Sequence, residues 1–258
     1  MAEQGSLVIP QPVAIVVGAS SGIGAALARE LAVQGWRVIL IARRADALQR
    51  VAEDITRRVG PDRAFPRPMD ARAYDQIPQV YQEVLREHGR LDAVIYSAGV
   101  LHPVAPDEYN FAKDREMLEV NLVAAVAWLG QAAALFQQLG QGHIVGISSV
   151  AGDRGRVANP AYHASKAGLT TYLESLRNRL SRRGVHVLTV KPGFVRTPML
   201  EQAQPKRVFW VISPEQAARD IVNAMRKGKQ VIYTPARWRW LMLLIQHIPS
   251  VLFRRLSF

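Results

Sequence analysis

Apolar residues fall along the chain in short β-branched runs, separated by longer stretches in which they recur every three or four positions. The runs are Val13–Val17, Val38–Ile41, Ala64–Met69, Leu91–Tyr96, His143–Ser148, Val185–Lys191 and Gln230–Tyr233. The spacing between them predicts helices. Strands alternating with helices make βαβ units, and right-handed crossovers of this length give a parallel sheet covered on both faces. The predicted fold is therefore α/β: a doubly wound, Rossmann-like three-layer sandwich of about seven strands. No repeat or linker interrupts the pattern, so residues 1–258 read as one domain, with 235–258 as a C-terminal tail. Ser213-Pro214-Glu215-Gln216 carries a helix-start signature, with Ser as cap and Pro at the first helical position.

An apolar fraction of 49% over 258 residues is enough for a substantial core. The chain has no cysteine, which rules out disulfides, thiolate-bound zinc, iron–sulfur clusters and thiol nucleophiles. Its six histidines show no close ligand spacing, so no metal site is expected. Met1–Pro12 lacks a basic leader and an apolar stretch of signal length, and no uninterrupted apolar run approaches spanning length. The expectation is a cytoplasmic protein without a spanning helix. Net charge is +12, concentrated at the end: from Pro205 on, ten basic residues face only Glu215 and Asp220.

Directly after the first strand stands Gly18-Ala19-Ser20-Ser21-Gly22-Ile23-Gly24, followed by a helical pattern through Ala26, Leu27, Ala28 and Leu31. A glycine turn between strand and helix lets a pyrophosphate approach the amides of a helix N-terminus, where the helix dipole favours negative charge. At the end of the second strand an acidic residue would hold an adenosine ribose, and a basic one a 2′-phosphate. Here the chain reads Ala42-Arg43-Arg44, so NADP(H) is expected over NAD(H).

Tyr162 and Lys166, four residues apart at the start of a helix, project from one face. An ammonium beside a phenol favours phenolate, so the tyrosine pKa is expected to fall toward working pH, suiting proton exchange with a carbonyl/alcohol pair. Upstream, the strand Ile144–Ile147 ends in Ser148-Ser149 at the sheet's carboxyl edge, where a hydroxyl can meet a substrate oxygen.

Taken together, the glycine turn, Ser149, Tyr162-x-x-x-Lys166, and Pro192-Gly193 followed by Thr197 resemble the short-chain dehydrogenase/reductase family, in its compact one-domain form. The resemblance implies that Tyr162 is the general acid/base. Lys166 would lower its pKa and contact the nicotinamide ribose, and Ser149 would orient the carbonyl. Asn121 would hold a relay water to the lysine. The coenzyme would be held by Gly18, Ser20, Ser21, Gly22, Ile23, Gly24, Arg43, Arg44, Asp70, Ala98, Gly99, Tyr162, Lys166, Pro192, Gly193 and Thr197, with Asp70 at the adenine and Ala98-Gly99 beside the adenosine ribose. The family's usual Asn-Asn-Ala-Gly is Tyr96-Ser97-Ala98-Gly99 here, two members short. The implied activity is NADP(H)-dependent reduction of a ketone to a secondary alcohol, or the reverse, and homodimers or homotetramers are expected.

A family does not name a substrate. The segment Pro235–Arg255 is apolar almost all round, with a narrow polar stripe near Arg239 and Gln246, and is flanked by Arg and Trp. It reads as a cover for the protein's own core or a subunit, or as a peripheral contact with the membrane's inner face; nucleic acid is not expected. A narrower resemblance, through residues 149–159, Arg196-Thr197-Pro198-Met199 and the basic tail, is to reductases acting on polyprenyl-phosphoryl 2-keto-ribose. It implies a lipid-linked or otherwise bulky ketone, with Arg154 and Arg156 on the loop before Tyr162 able to hold a phosphate. The alternatives are a reductase of small or medium ketones, such as β-keto acyl or steroid-like compounds, and a non-catalytic NADP-binding scaffold. A nucleotide-sugar epimerase or dehydratase would need a larger C-terminal region.

Overall fold

The computed structural model describes residues 11–203, 205 and 207–256. The reading of Met1–Pro12 as leaderless therefore concerns residues that lie, up to residue 10, outside the described ones. In chain order the elements are β1 (Val13–Val17), α1 (Gly22–Val33), β2 (Arg37–Ala42), α2 (Ala45–Val59), β3 (Ala64–Pro68), α3 (Ile77–His88), β4 (Ala93–Tyr96), α4 (Phe111–Leu118), a π-helical turn (Glu119–Val123) and α5 (Ala124–Leu139). There follow β5 (Gly142–Ile147), α6 (Pro160–Leu180), β6 (Val185–Pro192), α7 (Pro198–Ala203), α8 (Pro214–Arg226), β7 (Val231–Thr234), α9 (Trp238–His247) and α10 (Ser250–Phe253).

All seven predicted strands form, within one or two residues of their expected bounds, and pair in parallel in the order β3-β2-β1-β4-β5-β6-β7. Alternation along β1 sorts the two layers. Val13, Ile15 and Val17 face a cluster built with α3, α5 and α6, while Ala14 and Val16 face one built with α1, α2 and α8. Pro66 and Pro68 cost nothing in β3, because it is an edge strand. The signature at Ser213 works as expected: its Oγ accepts the Gln216 N–H at 3.1 Å and opens α8.

By length and mean hydropathy (1.5), Phe111–Leu139 would reach across a bilayer. Its Trp128, Leu129, Ala132 and Phe136 are instead fully buried against the sheet, which makes it a core helix of the layered fold.

The strand order reverses between β2-β1 and β4-β5, and in doubly wound sheets ligands bind at the carboxyl ends beside such a switch. The sequence places Gly18 after β1, Arg43 after β2, Asp70 two residues past β3, Ser97–Gly99 after β4, Ser148-Ser149 after β5 and Gly193 after β6. One sheet edge therefore gathers residues scattered over 175 positions of chain.

Candidate active site

Gly18 takes φ +90°, and a Cβ there would collide with the backbone of Ala98, so only glycine lets the β1 turn lie against the β4 turn. Thr197, past β6, stands over Gly22; its Cγ2 would be 3.0 Å from a Cβ added there. Ser21 caps α1 in extended conformation without a side-chain hydrogen bond, and the first turn carries no acid. The amide end of α1 is thus left available to an anion. Arg44 folds over this turn, donating from Nη2 to Ser20 Oγ (3.0 Å) and Ser21 Oγ (2.9 Å). Arg43 stands 4.0 Å from Asp70, whose carboxylate is gripped by Arg72 through Nη2 (2.8 Å), Nε (3.2 Å) and the backbone N–H (2.9 Å). Those bonds hold the Asp70 pKa below its usual value, so the group at the proposed adenine position is a firmly ionised one.

The two adjacent serines part company. Ser148 Oγ donates to the Lys166 carbonyl (2.9 Å) and pairs with Thr170 Oγ1 (2.8 Å), which ties β5 to α6. Ser149 Oγ accepts the Ala151 N–H (3.0 Å) and stands near enough to the Tyr162 phenol to pull its pKa down. Its neighbour thus has a packing role, and Ser149 alone of the pair meets the phenol. Lys166 is buried, donates from Nζ to the Ile147 carbonyl (2.9 Å), and lies 5.8 Å from the centre of the Tyr162 ring. Burial brings its pKa down to about 8. An ammonium has three N–H donors and this one spends one on Ile147, which leaves it fitted to hydroxyls such as those of a ribose.

One expectation is corrected. The Tyr162 pKa is raised, not lowered: burial dominates, and the Ser149 hydroxyl only opposes it. The partly buried ring packs with Val104, Met117 and Ala161, and the ammonium lies over the ring face, 5.8 Å from its centre.

Asn121 falls in the π-helical turn, fully buried. Its Oδ1 accepts the Val100 N–H (2.8 Å), and its Nδ2 donates to the Val100 carbonyl (2.9 Å) and Ser165 Oγ (3.1 Å). The side chain is spent on clamping the segment after Gly99 to α6. Asn121 Oδ1 and Lys166 Nζ both border Gly99, 3.3 and 3.6 Å from a Cβ added there. Sequence reasoning noticed Tyr96 only as a departure from the family pattern. Its hydroxyl donates to the Val120 carbonyl at 2.6 Å, so a buried tyrosine joins β4 to the turn that carries Asn121. A large polar residue at the end of an apolar strand was the available signal.

The loop after Ser149 departs further from expectation. Arg154, partly exposed, is spent on the tail: its Nη1 donates to the carbonyls of Ile245 (2.8 Å), Gln246 (2.9 Å) and Ile248 (2.6 Å) at the end of α9. Its guanidinium also lies 4.0 Å from the centre of the Phe253 ring. Arg156 points the same way, with Nη2 3.8 Å from Met242 Sδ, and burial lowers its pKa. Arg154 closes the end of α9, a guanidinium being the natural partner for the carbonyls that end a helix, and Arg156 meets the same helix at Met242. Between them and Ser149, Asp153 accepts from Lys191 Nζ (2.5 Å) and the Tyr233 hydroxyl (2.8 Å). On the far side, Trp238 of α9 packs so closely on Gly193 that a Cβ there would strike its indole nitrogen. Phe194, Phe209 and Trp210 complete an aromatic wall with Trp238, at ring-centre separations of 5.0–5.7 Å.

A parallel sheet with a glycine turn at its switch point, and a Ser, Tyr and Lys converging beside it, defines a dinucleotide-dependent oxidoreductase. The sequence pattern of the short chain dehydrogenases matches residues 12–208, and the chain belongs to that family. An uncharacterized oxidoreductase of Mycobacterium tuberculosis is 31% identical over 246 residues, covering 94% of this chain and 96% of that protein. Another, from Myxococcus xanthus, is 35% identical over 186 residues, 72% of this chain and 73% of that one. Among solved structures, a short-chain dehydrogenase from Sphingobium yanoikuyae in complex with NADPH superposes with a TM-score of 0.80 at 25% identity, over 93% of this chain and 97% of that one. A variant of actinorhodin polyketide ketoreductase with NADPH gives 0.78 at 26% identity, over 86% and 95%.

Proposed function

We propose that this oxidoreductase uses NADP(H) to reduce a ketone to a secondary alcohol, with Tyr162 as proton donor. The observation that carries the reading is the meeting of Tyr162, Ser149 and Lys166 at the sheet edge that also holds the glycine turn. When bound, NADPH supplies the hydride, and the chain's own residues do the rest. The α1 amide end would receive the pyrophosphate, Lys166 Nζ would turn its remaining donors to the nicotinamide ribose, and Thr197, Ala98 and Gly99 would line the coenzyme's path. Ser149 holds the carbonyl oxygen and steadies the charge that develops on it. The raised Tyr162 pKa keeps its hydroxyl protonated at neutral pH, the state that reduction needs. The same convergence speaks against a non-catalytic scaffold, which would have no use for a buried lysine facing a phenol.

Arg43, Arg44, Ser20 and Ser21 form the cluster suited to a 2′-phosphate, and both NADPH-bound relatives support that choice. Equilibrium titration is expected to give tighter binding of NADPH than of NADH. Arg44→Ala should weaken NADPH by about 1.5–3 kcal/mol, roughly ten- to a hundredfold, and leave NADH nearly unchanged. Tighter NADH binding by the unaltered protein would refute the assignment.

For the substrate, the aromatic wall of Phe194, Phe209, Trp210 and Trp238 beside Gly193 favours a bulky apolar ketone over a small polar one. A lipid-linked ketone is a special case of this class; with Arg154 and Arg156 engaged by the tail, its support is the apolar wall and not a phosphate site. A cytoplasmic homodimer or homotetramer suits such a reductase.

A further inference from the structure

We propose that the outer face of α9 docks onto an anionic lipid bilayer surface. The helix has two opposed apolar faces. Trp238, Met242 and Ile245 form the inner one, buried with Val150 and the aromatic wall. Trp240, Leu243, Leu244 and His247 recur at i, i+3, i+4 and i+7 on the other side, and all four are exposed, Trp240 by 66% and Leu244 by 70%. Beyond the break at Ile248-Pro249, Val251 and Leu252 of α10 are also exposed. Apolar side chains scattered singly on a surface are ordinary, but a row filling one helical face marks a contact.

Charge identifies the occupant. No acidic residue follows Asp220, while Arg237, Arg239, Arg254 and Arg255 are all exposed around this face. A second copy of the chain would bring the same four cations against them, and like charges there would repel. An anionic lipid surface neutralises them, and Trp, Leu and Arg side by side are the composition of a helix lying in the interface. At ten residues α9 is too short to span, so it would lie flat.

The structure presents this face rigidly. Arg154 ties off three carbonyls at the end of α9 and stacks on Phe253, so the helix is pinned to the loop after Ser149 at one end and to Gly193 through Trp238 at the other. A bilayer on the outer face would lie one helix diameter, about 10 Å, from the aromatic wall around Trp238, within reach of an apolar substrate leaving the membrane. This docking does not depend on the proposed reaction, since it rests on the tail alone.

Co-sedimentation of the full-length protein with vesicles tests it. Vesicles of phosphatidylglycerol mixed with phosphatidylcholine are expected to pellet the protein, and pure phosphatidylcholine vesicles to pellet it about tenfold less or weaker still, with binding falling as salt rises. Trp240→Glu with Leu244→Glu should cut partitioning about tenfold or more, while circular dichroism and NADPH binding stay unchanged. If that pair disturbs folding, Arg239→Glu with Arg255→Glu supplies the electrostatic arm of the same test. Equal pelleting by both lipids, or by the protein and its variants, would overturn the proposal. So would an absence of pelleting combined with a shift from dimer to monomer in the Trp240/Leu244 variant, which would assign the face to a second copy.

Discussion

Tyr162→Phe is expected to lower kcat for ketone reduction by about 10²- to 10⁴-fold while NADPH still binds with unchanged affinity. The substitution removes one oxygen and leaves the packing with Val104, Met117 and Ala161 intact, so the loss reports on the proton and not on the fold. Single-turnover NADPH oxidation at 340 nm measures the rate, and fluorescence titration the binding. The pH dependence follows from the same group. With its pKa raised by burial, the phenol is the proton-bearing form through the neutral range, so reductive kcat is flat there and declines as pH climbs toward that pKa. Alcohol oxidation needs the phenolate and should instead rise with pH. Turnover by the Phe variant at the parent rate would remove Tyr162 from the reaction.

Asp153→Ala is expected to cost about 3–5 kcal/mol of folding stability, the largest effect we predict for a residue outside the reaction. The Asp153 side chain is 1% exposed and that of Lys191 10%, so the substitution strands a buried ammonium and a tyrosine hydroxyl together. The Lys191–Asp153 contact also joins the loop after Ser149 to β6, and its loss should lower activity along with stability. Urea denaturation of the variant, alongside Asp153→Ala/Lys191→Met, separates the terms. The double variant should recover most of the loss, because an apolar replacement for both ions removes the stranded charge. A single variant as stable as the parent would show that water reaches this pair.

Much of this was legible in the sequence, for particular reasons. The strands announce themselves because a parallel sheet buries both faces of Val13–Val17 and of its neighbours, which demands unbroken β-branched runs. The glycine turn, Ser149, Tyr162 and Lys166 were readable because each is tied to a fixed place at a strand end or helix start. Arg154 was not readable. Its partners are backbone carbonyls more than ninety residues away, which carry no side-chain signal, so a loop arginine near a substrate site looked like a phosphate ligand. The direction of the Tyr162 shift lies beyond the sequence for a related reason. Spacing of four residues brings the ammonium near but says nothing of how deeply the hydroxyl is buried, and burial decides the sign. The tail divides evenly: its apolar character was evident, while the split into a buried face around Trp238 and an exposed one around Leu244 emerges only once α9 has a wall to lie on.

Hydride passing from NADPH to a carbonyl carbon leaves an isotopic trace. NADPH carrying deuterium at the transferable C4 position is offered to the protein with a panel of bulky apolar and smaller ketones, and the alcohols are analysed by mass spectrometry. The prediction is one deuterium on the carbinol carbon of at least one product, strongest among the bulky apolar ketones, and label appearing about 10²- to 10⁴-fold more slowly with Tyr162→Phe. NADPH that binds tightly while no ketone in the panel acquires deuterium would contradict it.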